Sequence, residues 1–284
     1  MVIDFCPGGD LETMIHENKG PFTEEKAKFI ACEILMAIKD LHRRNIIYRD
    51  LKPDNVVIDD HGHCQLIDFG MAKTNVTMAQ KGAKTFCGSV KYLAPEMLKK
   101  VGHGQALDWY LLGVLLYEML VGVTPYFSTN KDQLFDNIIN GKLKLPRNFS
   151  LEAKSLIIGL LNRNPSKRLG AEPGEGGALE IMNHPFFSDI DWDLMFQKLE
   201  TGGHVPEPPR YTIQEFVEEF QESTLSQKQI EDLYYGSTGE SLKIKDKIKS
   251  TWVSDWDYVR ATSPRRIESK ADGYTMNNNN FLMF

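Results

Sequence analysis

Apolar residues in this chain recur on two different periods, and the change from one to the other marks out its elements. Ala27, Ile30, Ile34, Ile38 and Leu41 return every three or four residues, the spacing of one buried face of a helix running from Thr23 to Arg44. Thr23 suits the N-cap, Glu24 and Glu25 favour the positive end of the helix dipole, and Arg43-Arg44 the negative end. Upstream, Met1-Val2-Ile3 is apolar, Pro7-Gly8-Gly9 stops any strand, and Asp10 can cap a short helix from Leu11 to Glu17. The runs Val56-Val57-Ile58 and Leu66-Ile67 flank the polar stretch Asp59-Asp60-His61-Gly62-His63 and predict a β-hairpin. From Trp109 to Val121 the sequence is almost continuously apolar behind Asp108. It contains Glu118 and is too short to span a bilayer, so a helix buried in protein is expected. His184-Pro185-Phe186-Phe187 closes this region. Beyond it Pro206, Pro208 and Pro209 interrupt a stretch rich in Glu and Lys, with no periodicity able to build a core. The prediction is an α+β fold, mainly α, over residues 1–187, followed by a wrapping tail over 188–284 whose Asn277 to Asn280 run is low-complexity and expected to be disordered.

Composition narrows the function more than the fold. The 284 residues are 42% hydrophobic and 25% charged, ordinary for a globular chain with ample core. A net charge of −6 argues against nucleic-acid binding and suits acidic sites for basic substrates. Cys6, Cys32, Cys64 and Cys87 form no C-x-x-C pair, and Met1 is followed by no signal peptide, so a cytoplasmic (intracellular) protein with reduced thiols is expected. The sequence has no repeats.

The hairpin carries the chemistry. Asp50, Lys52 and Asn55 precede its first strand and Asp68-Phe69-Gly70 follows its second, so closing the hairpin should bring Asp50, Asn55 and Asp68 together. A carboxylate, an Asn–Asp pair and a lysine suit Mg²⁺ and a phosphate in transfer: hard oxygen ligands, a cation and a base. Tyr48-Arg49-Asp50-Leu51-Lys52-Pro53-Asp54-Asn55, with Asp68-Phe69-Gly70 after it, resembles the catalytic loop and metal-binding turn of protein kinases. Thr85-Phe86-Cys87-Gly88 and Ala94-Pro95-Glu96 resemble the activation segment of the AGC group, relatives of the cyclic-nucleotide-dependent kinases.

That resemblance implies an ATP- and Mg²⁺-dependent serine/threonine kinase, a large lobe with a short catalytic hairpin and an AGC-type tail. It implies that Asp50 orients the substrate hydroxyl and accepts its proton, that Lys52 stabilises the γ-phosphate, and that Asn55 and Asp68 hold Mg²⁺. Adenine would meet backbone groups near Asp4 and Cys6, Asp10 the ribose and a substrate arginine, and Asp54 the nucleotide end of the site. Asp10, Asp54 and Glu118 together imply protein substrates with Arg or Lys two or three residues before the target. Thr85 would be phosphorylated by an upstream kinase, with Arg49 and Lys73 receiving the phosphate. Ser89 stands where the family's T-P-E begins and keeps the hydroxyl that would bridge Asp50 and Lys52, while Val90 and Lys91 depart from the pattern and alter substrate preference. Asp108 would tie down the backbone at Tyr48-Arg49, and Arg168 would pair with Glu96. For Glu118, a structural ion pair and a substrate-arginine contact both stay open.

In the tail, Pro206-Glu207-Pro208-Pro209 is similar to the group's proline segment, and Phe216-Val217-Glu218-Glu219-Phe220 to its F-x-x-E-F tether, with Phe216 near adenine. Val253-Ser254-Asp255-Trp256-Asp257-Tyr258 is favoured as the hydrophobic motif over Phe281-Leu282-Met283-Phe284. Ser263, before Pro264-Arg265-Arg266, is a further candidate phosphorylation site. The resemblance starts at the kinase hinge. No Gly-rich phosphate loop or V-A-I-K lysine stands elsewhere in the chain, and Gly174-Glu175-Gly176-Gly177 reads as a surface turn. A competing expectation is therefore a truncated fragment or docking module that transfers no phosphate by itself. A small-molecule kinase with a similar loop fits the activation segment and the tail poorly.

Overall fold

The structure, a computed structural model, describes residues 6–18, 20–83 and 89–197. Its elements run α1 (Leu11–Glu17), α2 (Glu24–Arg43), β1 (Val56–Ile58), β2 (Cys64–Leu66), α3 (Pro95–Leu98), α4 (Ala106–Val121), α5 (Lys131–Asn140), α6 (Leu151–Leu160), α7 (Glu175–Met182) and α8 (Trp192–Phe196). Helices dominate, and the sheet is the antiparallel pair β1–β2.

The centre of the fold is α4, which is buried at every position from Ala106 to Leu120. A helix that is apolar all round has no solvent face to choose, so it is enclosed by neighbours. It packs against α2 on one side and α6 on another. Close approach to α6 depends on Gly113, where an added Cβ would stand 2.8 Å from Leu160 Cβ. Helix α2 buries the predicted face of Ala27, Ile30, Ile34, Ile38 and Leu41, and Thr23 caps it by accepting from Lys26 N at 3.3 Å. It also packs against α7, β2 and α8. At its far end α4 stops at Gly122, whose φ of 85° is the left-handed conformation that glycine adopts without strain.

The hairpin is registered Val56↔Leu66 and Ile58↔Cys64, so its second strand starts earlier than the apolar run Leu66-Ile67 suggested. The reason lies in the turn. The Asp59 carboxylate accepts from His61 N at 2.9 Å and His63 N at 2.8 Å, and Asp59 N donates to the His63 carbonyl at 2.9 Å. Closing the loop this tightly allows pairing to begin directly after His63. Glu33 of α2 then fixes the strand by accepting from His63 Nδ1 and Cys64 N, both at 2.6 Å.

Arg168 is 1% exposed, and its guanidinium meets Glu96 in a two-pronged bond, Nη1 to Oε1 at 2.7 Å and Nη2 to Oε2 at 3.0 Å. Its remaining donors reach the carbonyls of Ala106 at 2.8 Å and Asn162 at 2.9 Å, and its plane lies over Tyr110. Burying two charges is costly unless they are paired and hydrogen-bonded, and here the guanidinium makes four such bonds. Arg168→Met strands the Glu96 carboxylate in a dry site and should lower the unfolding free energy by about 3–5 kcal/mol. Urea denaturation measures this, and the double variant Arg168→Met/Glu96→Gln should recover part of the loss. An unchanged midpoint in the single variant would contradict the assignment.

Candidate active site

The candidate catalytic loop leaves α2 through Asn45 (φ 60°), and Ile47 pairs with Lys73 through reciprocal backbone bonds of 2.9 Å. Asp108, fully buried in the first turn of α4, then captures the loop. Its Oδ2 accepts from Tyr48 N at 2.9 Å and its Oδ1 from Arg49 N at 2.8 Å. His42 Nε2 lies 2.8 Å from Oδ2 and donates to it, so the carboxylate is bonded from three directions. Arg49 sits at φ 73°, a conformation that costs a non-glycine residue on the order of 1–3 kcal/mol unless its surroundings impose it. Two amide bonds from one carboxylate supply that imposition. Tyr48 carries the constraint onward, its hydroxyl donating to the Ile67 carbonyl.

Past this anchor the site residues converge. Asn55 Nδ2 donates to the Asp50 carbonyl and to Asp50 Oδ2, each at 2.9 Å, and Lys52 Nζ lies 3.4 Å from the same Oδ2. With its amide N–H groups committed to Asp50, Asn55 has its carbonyl oxygen left to offer a ligand. Ile67 N donates to the Asn55 carbonyl at 3.0 Å, which sets Asp68 beside the loop. Asp68 is at φ 58°, and its Oδ1 accepts from Gly70 N at 3.0 Å. Phe69 turns edge-on to Tyr48, with ring centroids 5.4 Å apart. Among the described residues no three His, Cys, Asp or Glu side chains form a metal cage. One amide oxygen and one carboxylate are nevertheless the sparse, hard donor set that suits Mg²⁺, which keeps waters and takes phosphate oxygens as further ligands.

Towards the N-terminus the site is closed by Pro7-Gly8-Gly9. Gly8 N donates to the Ile58 carbonyl at 3.0 Å and Ile58 N to the Gly9 carbonyl at 2.9 Å. A Cβ on Gly8 would stand 2.6 Å from Ile58 Cβ, so only glycine fits. Cys6 lies on the same side, its Sγ 3.8 Å from Gln65 Oε1. Asp10 is the N-cap of α1, accepting from Thr13 N at 2.7 Å and Thr13 Oγ1 at 3.2 Å.

Glu118 is nearly buried, and it bonds to the Tyr92 hydroxyl rather than to the cation considered from the sequence. Burial raises its pKa, a nearby Glu12 carboxylate adds to the rise, and Tyr92, Lys91 and His16 oppose it. Tyr92 in turn feels Glu118, Glu12 and Asp54, so these acids surround one phenol, whose own pKa is raised first by burial. Asp54 itself is exposed. The Ser89 hydroxyl bonds to neither Asp50 nor Lys52, which instead meet directly. Arg49 uses Nε on the Met71 carbonyl, while its Nη1 is buried and has no hydrogen-bond partner among the described residues.

Asp4, Thr85, Cys87 and Phe216, with the tail motifs, lie outside the described residues. Several contributors carried no signal in the sequence. Tyr92 was one unmarked aromatic. Gln105, whose amide bonds to the His42 and Val76 carbonyls at 3.0 and 3.1 Å and accepts from Gly174 N at 2.6 Å, resembled any helix-start glutamine. His42 stood at the end of a helix with nothing in the sequence to reveal its buried carboxylate partner.

Residues 1–187 match the protein kinase domain family, and the chain belongs to it. Its relatives are AGC-type serine/threonine kinases, phosphotransferases of a family that uses ATP and Mg²⁺. Protein kinase 2 of Dictyostelium discoideum is 46% identical over 198 residues, covering 70% of this chain and 40% of that protein. Ribosomal protein S6 kinase alpha-6 of Danio rerio is 43% identical over 198 residues, 70% of this chain and 26% of the relative. The cAMP-dependent protein kinase catalytic subunit of Dictyostelium discoideum is 39% identical over 206 residues, 72% and 31% of the two chains. The chain thus spans between 26% and 40% of the length of these relatives. Among the described residues no helix is long and apolar enough to cross a membrane.

The raised pKa of Glu118 has a sign. A carboxyl whose folded pKa lies above its unfolded value binds its proton more tightly in the native state, so stability falls as pH rises from about 4.5 through the raised value. Glu33, raised first by its burial, acts in the same direction. Glu118→Gln should therefore reduce this slope without removing it, as read by denaturant midpoints at a series of pH values. A slope identical to that of the parent would contradict the electrostatics described.

Proposed function

We propose that this chain transfers the γ-phosphate of ATP to serine or threonine hydroxyls in protein substrates that carry Arg or Lys ahead of the target. The observation that supports it most directly is the linked set Asp50–Asn55–Asp68. One carboxylate is held by the Asn55 side-chain amide, and a second is fixed by a backbone turn just past the hairpin. In this reading Asp50 accepts a hydrogen bond from the substrate hydroxyl and takes its proton as the new bond forms. Lys52, 3.4 Å from Asp50, neutralises charge on the transferring group. Asn55 and Asp68 would hold Mg²⁺, which when bound offsets the negative charge of the phosphates. Adenine and ribose would lie against the segment around Asp4, Cys6 and Asp10, with Asp54 at the nucleotide end and Phe216 of the tail approaching the base.

Substrate choice is assigned to the acids. Asp10, Asp54 and Glu118 would meet the basic residues, and Glu118 is an acid whose burial disfavours its charge until a cation arrives. A substrate guanidinium would supply that cation, and Ser89 would act close to the acceptor. Thr85 is proposed as the activating site of an upstream kinase, read through Arg49 and Lys73. Residues 1–187 are assigned to the hinge and large lobe, 188–284 to the AGC-type extension, and the protein to the cell interior.

Two experiments test this. In the intact enzyme, Asp50→Asn should lower kcat on the order of 10²–10⁴-fold, the scale of general-base catalysis, with little change in stability. Full activity in that variant would remove Asp50 from the chemistry. Separately, Asp54→Arg or Glu118→Arg should raise KM for an arginine-containing peptide while sparing a neutral one. Equal loss on both peptides would contradict the basic-substrate assignment.

A further inference from the structure

Glu33 of α2 carries an acidic side chain that is only 8% exposed. Taking a carboxylate out of water is costly unless other bonds replace its hydration, so an apolar residue would serve the packing of α2 better. Burial is indeed the main cause that raises the pKa of Glu33, with the bond from Cys64 N and the charge of His63 opposing it. What the acid does is bond the hairpin. Its Oε1 meets His63 Nδ1 and its Oε2 accepts from Cys64 N, each at 2.6 Å. His63 is fixed in turn, since its own N–H donates to Asp59 Oδ1 at 2.8 Å and its ring centroid lies 6.1 Å from that of Phe29 on α2.

We propose that Glu33 is a positioning residue for the metal ligands: through His63 and Cys64 it sets where Asn55 and Asp68 stand, and so how tightly the site holds Mg²⁺. This rests on the reading of Asn55 and Asp68 as Mg²⁺ ligands. The route is continuous. Glu33 holds Cys64, the first residue of β2, and the strand carries its register, Cys64 on Ile58 and Leu66 on Val56, to Ile67. Ile67 N then donates to the Asn55 carbonyl at 3.0 Å, and Asp68 follows in the chain.

The two strands differ in their support. β1 is bonded by β2 and also by the Gly8-Gly9 backbone at Ile58. Among the described residues β2 pairs with β1 alone, and side chains supply the rest of its hold. Glu33 grips its beginning, and the Tyr48 hydroxyl grips the carbonyl of Ile67 just past its end. A three-residue strand held at one end only is free to swing at the other. Asp50 and Lys52 stand on a different support, the Asp108 carboxylate that fixes Tyr48 and Arg49. Loss of Glu33 should therefore act on the metal and leave the peptide alone. Groups that orient metal ligands from behind change affinity strongly although they never touch the ion.

The test titrates the intact enzyme with Mn²⁺ in place of Mg²⁺ at saturating ADP, followed by electron paramagnetic resonance. Glu33→Ala should weaken Mn²⁺ binding on the order of 10-fold, with KM for a peptide substrate unchanged. Glu33→Gln should restore most of the affinity, because its amide oxygen can accept from Cys64 N while its NH₂ donates to His63 Nδ1 in the other ring tautomer. A purely structural role would lower the denaturation midpoint of Glu33→Ala and leave Mn²⁺ affinity at the parent value, which overturns the proposal. If Glu33→Ala does not fold, His63→Ala, which leaves Oε1 without its partner, is read by the same criterion. Hydrogen exchange at the Cys64 amide needs no variant. Strong protection is expected in the parent, and exchange at the free-chain rate would overturn the proposal. Asp68→Asn separates the two readings. Unchanged Mn²⁺ affinity there removes the metal assignment and this proposal with it, whereas a loss there beside none in Glu33→Ala removes the proposal alone.

Discussion

One buried carboxylate sets the geometry on which the candidate chemistry depends. Asp108 is enclosed at the start of α4, and it gives both oxygens to the loop that carries Asp50. Isolated in a dry interior it would be prohibitively costly, but three donors reach it, and charge-assisted bonds of this kind are about twice as strong as neutral ones. The exchange is mutual. The loop solvates Asp108, and Asp108 holds Arg49 in a left-handed conformation that no local preference supports. With Arg49 turned in this way its guanidinium reaches the Met71 carbonyl beyond the Asp68-Phe69-Gly70 turn. A rigid helix thereby positions a strained loop, and the loop positions Asp50 and Asn55.

The sequence disclosed the parts of this that repeat or that sit close together in the chain. The buried face of α2 was visible in the spacing of Ile30, Ile34, Ile38 and Leu41, and α4 in its unbroken apolar run. The order Asp50, Lys52, Asn55, then Asp68-Phe69-Gly70, pointed to a candidate site because both flanks of one hairpin must meet. What could not be read were contacts made across the fold by residues with no distinctive pattern. The start of β2 moved to Cys64 because Asp59 closes the turn and Glu33 reaches in from α2. Neither effect is encoded in the apolar spacing that predicted Leu66-Ile67. Tyr92 became the partner of Glu118 only once the segment before α3 had folded over α4, so the sequence could not choose between a cation and a hydroxyl.

Glu118 and Arg168 show two ways of burying charge in the same core. Arg168 and Glu96 meet in a two-pronged bond, with further Arg168 donors on backbone carbonyls, and so stabilise a single arrangement of α3 against the segment after α6. Glu118 has only a hydroxyl, and its charge remains unfavourable where it stands. The first pair holds the scaffold, whereas the second acid rests on a single phenol. Stability given up at one position is offset by a firm bond at another.

The hairpin has a consequence for how the site comes into being. Each of its strands is three residues long, and a ribbon of that size does not persist in water unaided. It borrows its firmness from Gly8 and Gly9 on one side, nearly fifty positions earlier, and from Glu33 on the other. Closing loops of that length costs entropy before any contact is gained. The placing of Asn55 and Asp68 therefore depends on contacts made far away in the chain. A partly folded chain can hold most of its helices and still lack the place where the metal would sit.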